Sequence, residues 1–189
     1  MQSPRDPKVY FLAQKETVML FRAIVWILMM GGGALLGISL DQTWSPFLWH
    51  SVLFHGVTFI LGATLMWLVF RISRNTGRLL ARLGREGELP RMETNRLVTE
   101  GVYGCMRHPM HLGLLFFPLS LALLLGSPTF IFLIAPLEML LMVAMIKLME
   151  EPEAIAKFGD AYLAYRRRVP MFNLRPACLR YLLQTANSP

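Results

Sequence analysis

Long apolar runs alternate with short polar segments along this chain, and the runs have the length of membrane-spanning helices. About 20 helical residues cross the roughly 30 Å hydrocarbon core of a bilayer. Residues 17–40 form one such run, interrupted by Arg22, and residues 51–70 form a second, which ends before Arg71. Both runs therefore predict transmembrane helices.

A longer apolar stretch extends from Leu112 to Met149. Residues 126–128, Gly-Ser-Pro, interrupt it where a turn is needed, because glycine bends freely and proline opens a new helix. The stretch predicts a helical hairpin with spans at residues 109–126 and 129–149. The predicted fold is all-α, a polytopic membrane protein with about four transmembrane helices and a C-terminal helical hairpin.

Basic residues are distributed asymmetrically about these spans. The predicted turns at residues 41–50 and 126–129 contain no lysine or arginine, whereas eight arginines lie between residues 71 and 107. The positive-inside rule places residues 71–108 and 150–189 in the cytoplasm. With Arg5, Lys8 and Lys15 on the same side, it predicts a multi-pass protein of the cell membrane with both termini cytoplasmic.

The composition agrees with lipid surroundings. Hydrophobic residues make up 54% of the 189 residues and charged residues 16%, which is more apolar material than a soluble domain of this length buries. We therefore treat residues 1–189 as a single membrane domain. The net charge of +7 is attributed to contact with membrane lipids, and no nucleic-acid partner is predicted.

The basic segment after the second span is itself patterned. Five arginines recur at spacings of three and four, which places them on one helical face; they are Arg71, Arg74, Arg78, Arg82 and Arg85. The pattern predicts an amphipathic extension of the second span along anionic headgroups. A role in setting topology is favoured over capture of an anionic substrate headgroup. Residues 84–95 are polar and predict a loop.

Groups capable of chemistry lie at both feet of the predicted hairpin. Arg107 and His108 precede the third span, and Glu150 and Glu151 follow the fourth. At 1.5 Å per residue the outgoing helix is about 27 Å long and the returning helix about 31 Å long, so both pairs end at the same boundary. A cation, an imidazole and adjacent carboxylates are therefore predicted to share one cytoplasmic site.

Other polar residues carry weaker signals. Cys105 and Cys178 lie far apart without a CxxC pair, so neither a metal site nor a disulfide framework is predicted. His108 and His111 have a spacing that can ligate a metal, yet no third ligand is evident and no metal is predicted. Glu138 lies within a span, where a carboxyl group usually has a partner or stays protonated.

The motifs around the hairpin resemble those of the isoprenylcysteine carboxyl methyltransferase and phospholipid methyltransferase superfamily. The resemblance covers about residues 97–172, and its motifs are Gly101-x-Tyr103, Arg107-His108-Pro109, Glu150-Glu151, Phe158-Gly159, Tyr162, Tyr165 and Val169-Pro170. The chain departs from the usual pattern at three positions. His111 stands where tyrosine is usual, Ala154 where leucine is frequent, and Met171 where arginine is frequent.

The resemblance implies methyl transfer from S-adenosyl-L-methionine to a hydrophobic or lipid-linked acceptor at the cytoplasmic membrane face. A carboxylate such as that of isoprenylcysteine is the favoured acceptor. The implied cofactor-binding residues are Tyr103, His108, Pro109, Glu150, Glu151 and Tyr162. The implied catalytic residues are Arg107 and His108, and the implied substrate-binding residues are Arg107, His111 and Tyr165.

The choice of acceptor affects what the site must do. Methyl transfer is an in-line displacement on an activated carbon, so alignment and exclusion of water are the main requirements. Arg107 would orient an anionic acceptor. An amine or thiol would need a base, for which His108 or His111 are candidates. We expect the acceptor to enter laterally from the inner leaflet beside the methionines of the fourth span.

Two other functions remain open from sequence alone. One is an NADPH-dependent membrane reductase of the sterol-reductase type, whose C-terminal part resembles the same superfamily but which carries many additional spans. The other is a non-enzymatic membrane adaptor whose basic loops bind lipid or a partner.

Overall fold

The computed structural model describes residues 7–88 and 94–183. For residues 7–19, 21 and 22 it describes the backbone alone. All regular structure within these ranges is helical, which confirms the all-α prediction. Arg5, and residues 89–93 of the predicted loop, lie outside the described residues.

Ten α-helices, numbered α1 to α10 in chain order, form the described chain. They are α1 Pro7–Trp44, α2 Pro46–Trp49, α3 Val52–Leu83, α4 Val102–Cys105, α5 Pro109–Leu115, α6 Phe117–Leu125, α7 Ala135–Met145, α8 Glu151–Phe158, α9 Asp160–Arg168 and α10 Pro176–Leu183. Two π-helical turns flank α7. Phe130–Ile134 precedes it, and Ile146–Glu150 joins it to α8.

Among the described residues, three helical segments are long and apolar enough to cross a membrane. They are Ala23–Trp44, Val52–Leu83 and Phe130–Phe158. The segment Pro109–Leu125 is a shorter apolar helix, and together the four correspond to the predicted arrangement of about four spans with a C-terminal hairpin.

Prolines explain where the helices of the hairpin are irregular. Proline has no N–H group, and its ring clashes with the carbonyl four residues earlier. Pro118 accordingly lies just after the break between α5 and α6 at Phe116. Pro136 and Pro152 each follow a π-helical turn, a form in which the hydrogen-bond register is wider and the clash is relieved. The second π-helical turn ends at Glu150, so this irregularity lies at the predicted site.

The central span packs closely on the outgoing helix of the hairpin. A Cβ atom on Gly62 of α3 would lie 2.6 Å from the backbone nitrogen of Leu124 in α6. A side chain larger than the hydrogen of glycine would clash at this position. Gly62 therefore allows the backbones of α3 and α6 to come into close contact. Further along α3, a Cβ on Gly113 of α5 would meet Ile72 at 2.8 Å. These contacts hold α5, and with it the first motif, against α3.

A buried carboxylate ties the turn of the hairpin to the first span. Asp41 near the end of α1 is fully buried. It accepts hydrogen bonds from the Ser127 hydroxyl, from the backbone N–H of Thr129 at 2.7 Å, and from the Ser45 hydroxyl at 3.2 Å. Gly126 supplies the positive φ of 63° that the turn requires. The sequence analysis did not identify Asp41.

The helix α10 lies against the end of α3 that extends beyond Arg71. Asn75 donates to the carbonyl of Leu182 at 3.3 Å, and Arg71 donates to that of Leu183 at 3.3 Å. The extension predicted after Arg71 is therefore helical to Leu83 and packs against protein along part of its surface.

The two cysteines form a disulfide bond, which corrects the prediction of no disulfide. Cys105 of α4 and Cys178 of α10 are 73 positions apart in the chain, with their Cα atoms at 5.7 Å. Pairing depends on spatial proximity, and the separation along the chain hid it. The bond joins α10 to the segment that carries the first motif.

Candidate functional site

The two feet of the hairpin meet in a buried ion pair between Arg107 and Glu151. The Arg107 Nε atom donates to Glu151 Oε1 at 3.1 Å, and Nη2 donates to the same oxygen. The side chains are 9% and 4% exposed, so little water reaches the pair. The predicted convergence of the two motifs is thus present in the structure.

The Nη1 atom and the backbone N–H of Arg107 contact the last turn of α9 and the segment that follows it. Nη1 donates to the carbonyl oxygens of Val169 at 2.6 Å and Arg166 at 3.1 Å. The backbone N–H of Arg107 donates to the carbonyl oxygen of Pro170 at 2.9 Å. The neighbouring N–H of His108 donates to Met171 at 3.2 Å. The Val-Pro motif therefore provides acceptors that hold the first motif in place.

A second arginine approaches the buried carboxylate from the outside. Arg166 Nε lies 3.4 Å from Glu151 Oε2, and its side chain is 47% exposed. Glu151 is therefore neutralised mainly by the buried Arg107, since an exposed pair contributes little.

His108 lies between the two glutamates and is neutral at physiological pH. Its Nε2 atom is 3.6 Å from Glu151 Oε1, and its Nδ1 is 4.0 Å from Glu150 Oε2. Burial, and next the neighbouring His111, lower its pKa from 6.5 to about 4. Its buried Nε2 makes no hydrogen bond within the part of the chain that the structure describes. This atom is therefore available for a hydrogen bond with a ligand.

His111 pairs with Glu150 across the hairpin. Its Nε2 atom lies 2.9 Å from Glu150 Oε1, and its ring contacts that of His108 edge-on at 5.5 Å between centroids. Donor atoms of His108, His111 and Glu150 all lie within 4.8 Å of one another. Glu150 is the third group that the sequence analysis lacked for a metal. We assign no metal to it, because His111 and Glu150 are already paired with each other at 2.9 Å.

Buried tyrosines form one side of the site. The Tyr165 hydroxyl donates to the carbonyl oxygen of Tyr103 at 2.5 Å, and Tyr103 donates to that of Thr76 at 3.4 Å. Burial raises the pKa of both phenols well above their usual value, so they remain protonated donors. Burial also raises the pKa of Tyr162, whose buried hydroxyl has no hydrogen-bond partner among the described residues.

Two cavities share the His111–Glu150 pair as part of their walls. The first, of about 220 Å³, is bordered by eight of the nine predicted site residues, Tyr103, Arg107, His108, Pro109, His111, Glu150, Tyr162 and Tyr165. We call it the polar cavity. Glu151, the ninth, is in contact with Arg107 at its edge.

The second cavity, of about 330 Å³, is called the apolar cavity. It is lined by Trp26 of α1, Leu114, Phe117, and the methionines Met142, Met145 and Met149 of the returning helix. His111 and Glu150 border both cavities. The sequence allowed these methionines to accommodate a hydrocarbon chain but gave no indication of Trp26, since nothing in an apolar span marks the face that turns toward a cavity.

Comparison with known families agrees with this architecture. A family model described as phospholipid methyltransferase matches residues 56–161, more than half of the chain. The chain belongs to the phospholipid methyltransferase family. This membership makes it a membrane methyltransferase. No curated protein and no solved structure matches the chain.

The family match encloses both feet of the hairpin. It includes the first motif through His111 and the second through Phe158. Tyr162, Tyr165 and Val169 follow the matched region, and the structure shows that they pack on it through Arg107 and Tyr103.

Proposed function

We propose that the chain transfers a methyl group from S-adenosyl-L-methionine to a hydrophobic or lipid-linked acceptor at the cytoplasmic face of the membrane. The observation that carries this proposal is that two cavities of different polarity share His111 and Glu150 in their walls. The polar cavity offers charged groups of both signs, and the apolar cavity offers an apolar surface that reaches the same His111–Glu150 pair.

The residues of the polar cavity fit S-adenosyl-L-methionine. That molecule supplies a methyl group already activated on a sulfonium, together with an ammonium, a carboxylate and an adenosine. Glu150 is a suitable acceptor for the ammonium or the ribose hydroxyls. The unpartnered Nε2 of neutral His108 and the unpartnered Tyr162 hydroxyl are suitable for the adenosine or the carboxylate, because buried polar groups normally have partners.

Arg107 acts in this proposal by positioning the site. Its guanidinium holds Glu151 and two backbone carbonyls, so it fixes the feet of the hairpin and the segment after α9 relative to each other. These contacts use four of the five N–H donors that could otherwise orient an anionic acceptor. The preference for a carboxylate acceptor, which depended on Arg107, is correspondingly weakened.

The apolar cavity is proposed to hold the hydrocarbon part of the acceptor. Its methionine side chains are flexible and polarizable, which suits an irregular chain. The outgoing helix is interrupted at Phe116 and the returning helix has a π-helical turn that ends at Glu150, and irregular helices of this kind can separate locally. Lateral entry from the inner leaflet would then bring a headgroup to the His111–Glu150 pair.

Equilibrium binding to the purified protein tests the assignment. S-adenosylhomocysteine is expected to bind, and NADPH is not. Glu150→Gln is expected to weaken S-adenosylhomocysteine binding by about 1.5 to 3 kcal/mol, the scale of a hydrogen bond to a charged group. Glu100→Gln, at an exposed position, is the matched control. Binding of NADPH without S-adenosylhomocysteine would establish the reductase instead.

The proposed orientation is tested separately by cysteine labelling on intact cells. A cysteine introduced at Thr43, beside the outer turn, should react with an impermeant reagent. One introduced at Glu88 should not. Labelling at Glu88 with Thr43 protected would reverse the topology and move the site to the opposite face.

A further inference from the structure

We propose that His111 is the proton acceptor of the reaction and that Glu150 positions it, so that the acceptor nucleophile is an amine or a thiol carrying a proton. This inference rests on the proposed methyl transfer and deepens it, since it names the class of group that is methylated. A carboxylate acceptor would need no such base.

The pairing itself has the form of an oriented base. Glu150 Oε1 lies 2.9 Å from His111 Nε2, so an ionised carboxylate accepts the Nε2–H of the neutral ring. The lone pair then lies on Nδ1, since a neutral imidazole carries one donor and one acceptor nitrogen. A carboxylate that holds one ring nitrogen while the other takes a proton is the arrangement of many general bases.

The location of the pair gives this arrangement a role. His111 and Glu150 border both cavities, whereas the other described residues of the apolar cavity are hydrophobic. A nucleophile that arrives on a hydrocarbon carrier therefore meets His111 and Glu150, which also line the polar cavity. Trp26 is the residue of α1 that lines this space, and it adds no charge.

Neither of the other polar groups nearby is as well placed to take a proton. Arg107 is engaged with Glu151 and backbone carbonyls. His108 lies deeper, with its Nε2 directed toward Glu151 at 3.6 Å, and its lowered pKa makes it a weak base. The titratable groups that contact His111 among the described residues are His108 beside it and Glu150 on the returning helix.

The step is balanced by these groups alone. A bond forms between the nucleophile and the methyl carbon, the carbon–sulfur bond breaks, and its electron pair remains on sulfur. The proton of the nucleophile passes to His111 Nδ1. Glu150 stabilises the resulting imidazolium through the bond at Nε2, and the proton leaves to water from the partly exposed ring, which is 21% exposed.

Three carriers with the same dodecyl chain test the inference, ending in a primary amine, a thiol or a carboxylate. With labelled S-adenosyl-L-methionine, the wild type is expected to methylate the amine or the thiol in preference to the carboxylate. His111→Phe should reduce that rate by about 100-fold or more, the contribution of a positioned base. His50→Phe, the same substitution at the exposed outer end of the bundle, should leave it unchanged.

Two readouts do not depend on turnover. S-adenosylhomocysteine affinity measured by calorimetry should change less than twofold in His111→Phe. In wild-type protein carrying ¹³C-labelled histidine, binding of the unreactive dodecyl alcohol should perturb the His111 ring resonance, assigned by its loss in His111→Phe.

The outcomes separate this inference from the proposed function. If the wild type binds no S-adenosylhomocysteine, the proposed function fails. If it binds but methylates the carboxylate best, methylates none of the carriers, or works equally well as His111→Phe, the inference alone is overturned. A tenfold loss of S-adenosylhomocysteine affinity in His111→Phe would likewise overturn it, because His111 would then bind the cofactor.

Discussion

Arg107 and Glu151 are 44 positions apart in the chain, and two guanidinium nitrogens of Arg107 donate to the same carboxylate oxygen of Glu151. The contact joins the start of the outgoing helix of the hairpin to the end of the returning one. Both side chains are almost fully buried. Water therefore cannot stabilise either charge well, and each charge is stabilised mainly by the other. The pair is thus both the structural closure of the hairpin and one edge of the polar cavity.

Removing the arginine is expected to destabilise the protein strongly. Arg107→Met leaves the Glu151 carboxylate buried, which costs about 3 to 5 kcal/mol for such a pair. Arg166→Met, which removes the half-exposed partner of the same carboxylate, should cost less than about 1 kcal/mol. Reversible unfolding in detergent micelles measures both. Equal losses in the two variants would show that burial does not determine the strength of these contacts.

Stability is expected to fall as the pH decreases from about 6.5 to about 4. The folded protein keeps His108 neutral because burial lowers its pKa to about 4, whereas the unfolded chain protonates it near 6.5. The unfolded state therefore binds more protons in this interval, and the free energy of unfolding decreases by up to about 3 kcal/mol. His108→Gln should show a shallower dependence than the wild type, and His50→Gln should not. Parallel curves for the two variants would contradict the assignment to His108.

Two glycines of α3 should respond differently to the same substitution. Gly62→Ala places a methyl group 2.6 Å from the Leu124 backbone nitrogen. Only a shift of the helix backbone can relieve this clash, so the substitution should lower the free energy of unfolding by about 1 to 3 kcal/mol. Gly56→Ala meets nothing within 4 Å and should be neutral or slightly stabilising, since alanine favours helix. Unfolding midpoints of the two variants check this. A neutral Gly62→Ala would mean that α3 and α6 are further apart.

The disulfide should contribute to the attachment of α10. Peptide mapping without reduction is expected to recover Cys105 and Cys178 in one cross-linked fragment. Cys178→Ser opens a loop of 73 residues and should lower stability by about 2 to 4 kcal/mol. Serine at both positions should cost no more than the single change, since the bond is lost once. Recovery of the two cysteines in separate fragments would refute the pairing.

The sequence predicted the class of fold, and it predicted that the polar side chains at the two feet of the hairpin lie together. Spans are readable because every backbone group in lipid must be satisfied within its own helix, so apolar length predicts them directly. The prediction that Arg107 and Glu151 lie at the same end of the hairpin followed from helix length alone. At a rise of 1.5 Å per residue, two antiparallel helices of similar length end at about the same level.

Tertiary structure decided which groups within the site are paired. The acceptors of Arg107, the Cys105–Cys178 bond and the burial of Asp41 all depend on how helices rotate about their axes and where irregular segments dock. Helical periodicity in an apolar segment leaves that rotation undetermined, because nearly every face is hydrophobic. The same freedom hid the approach of Trp26 to His111 and Glu150, which line both the apolar and the polar cavity.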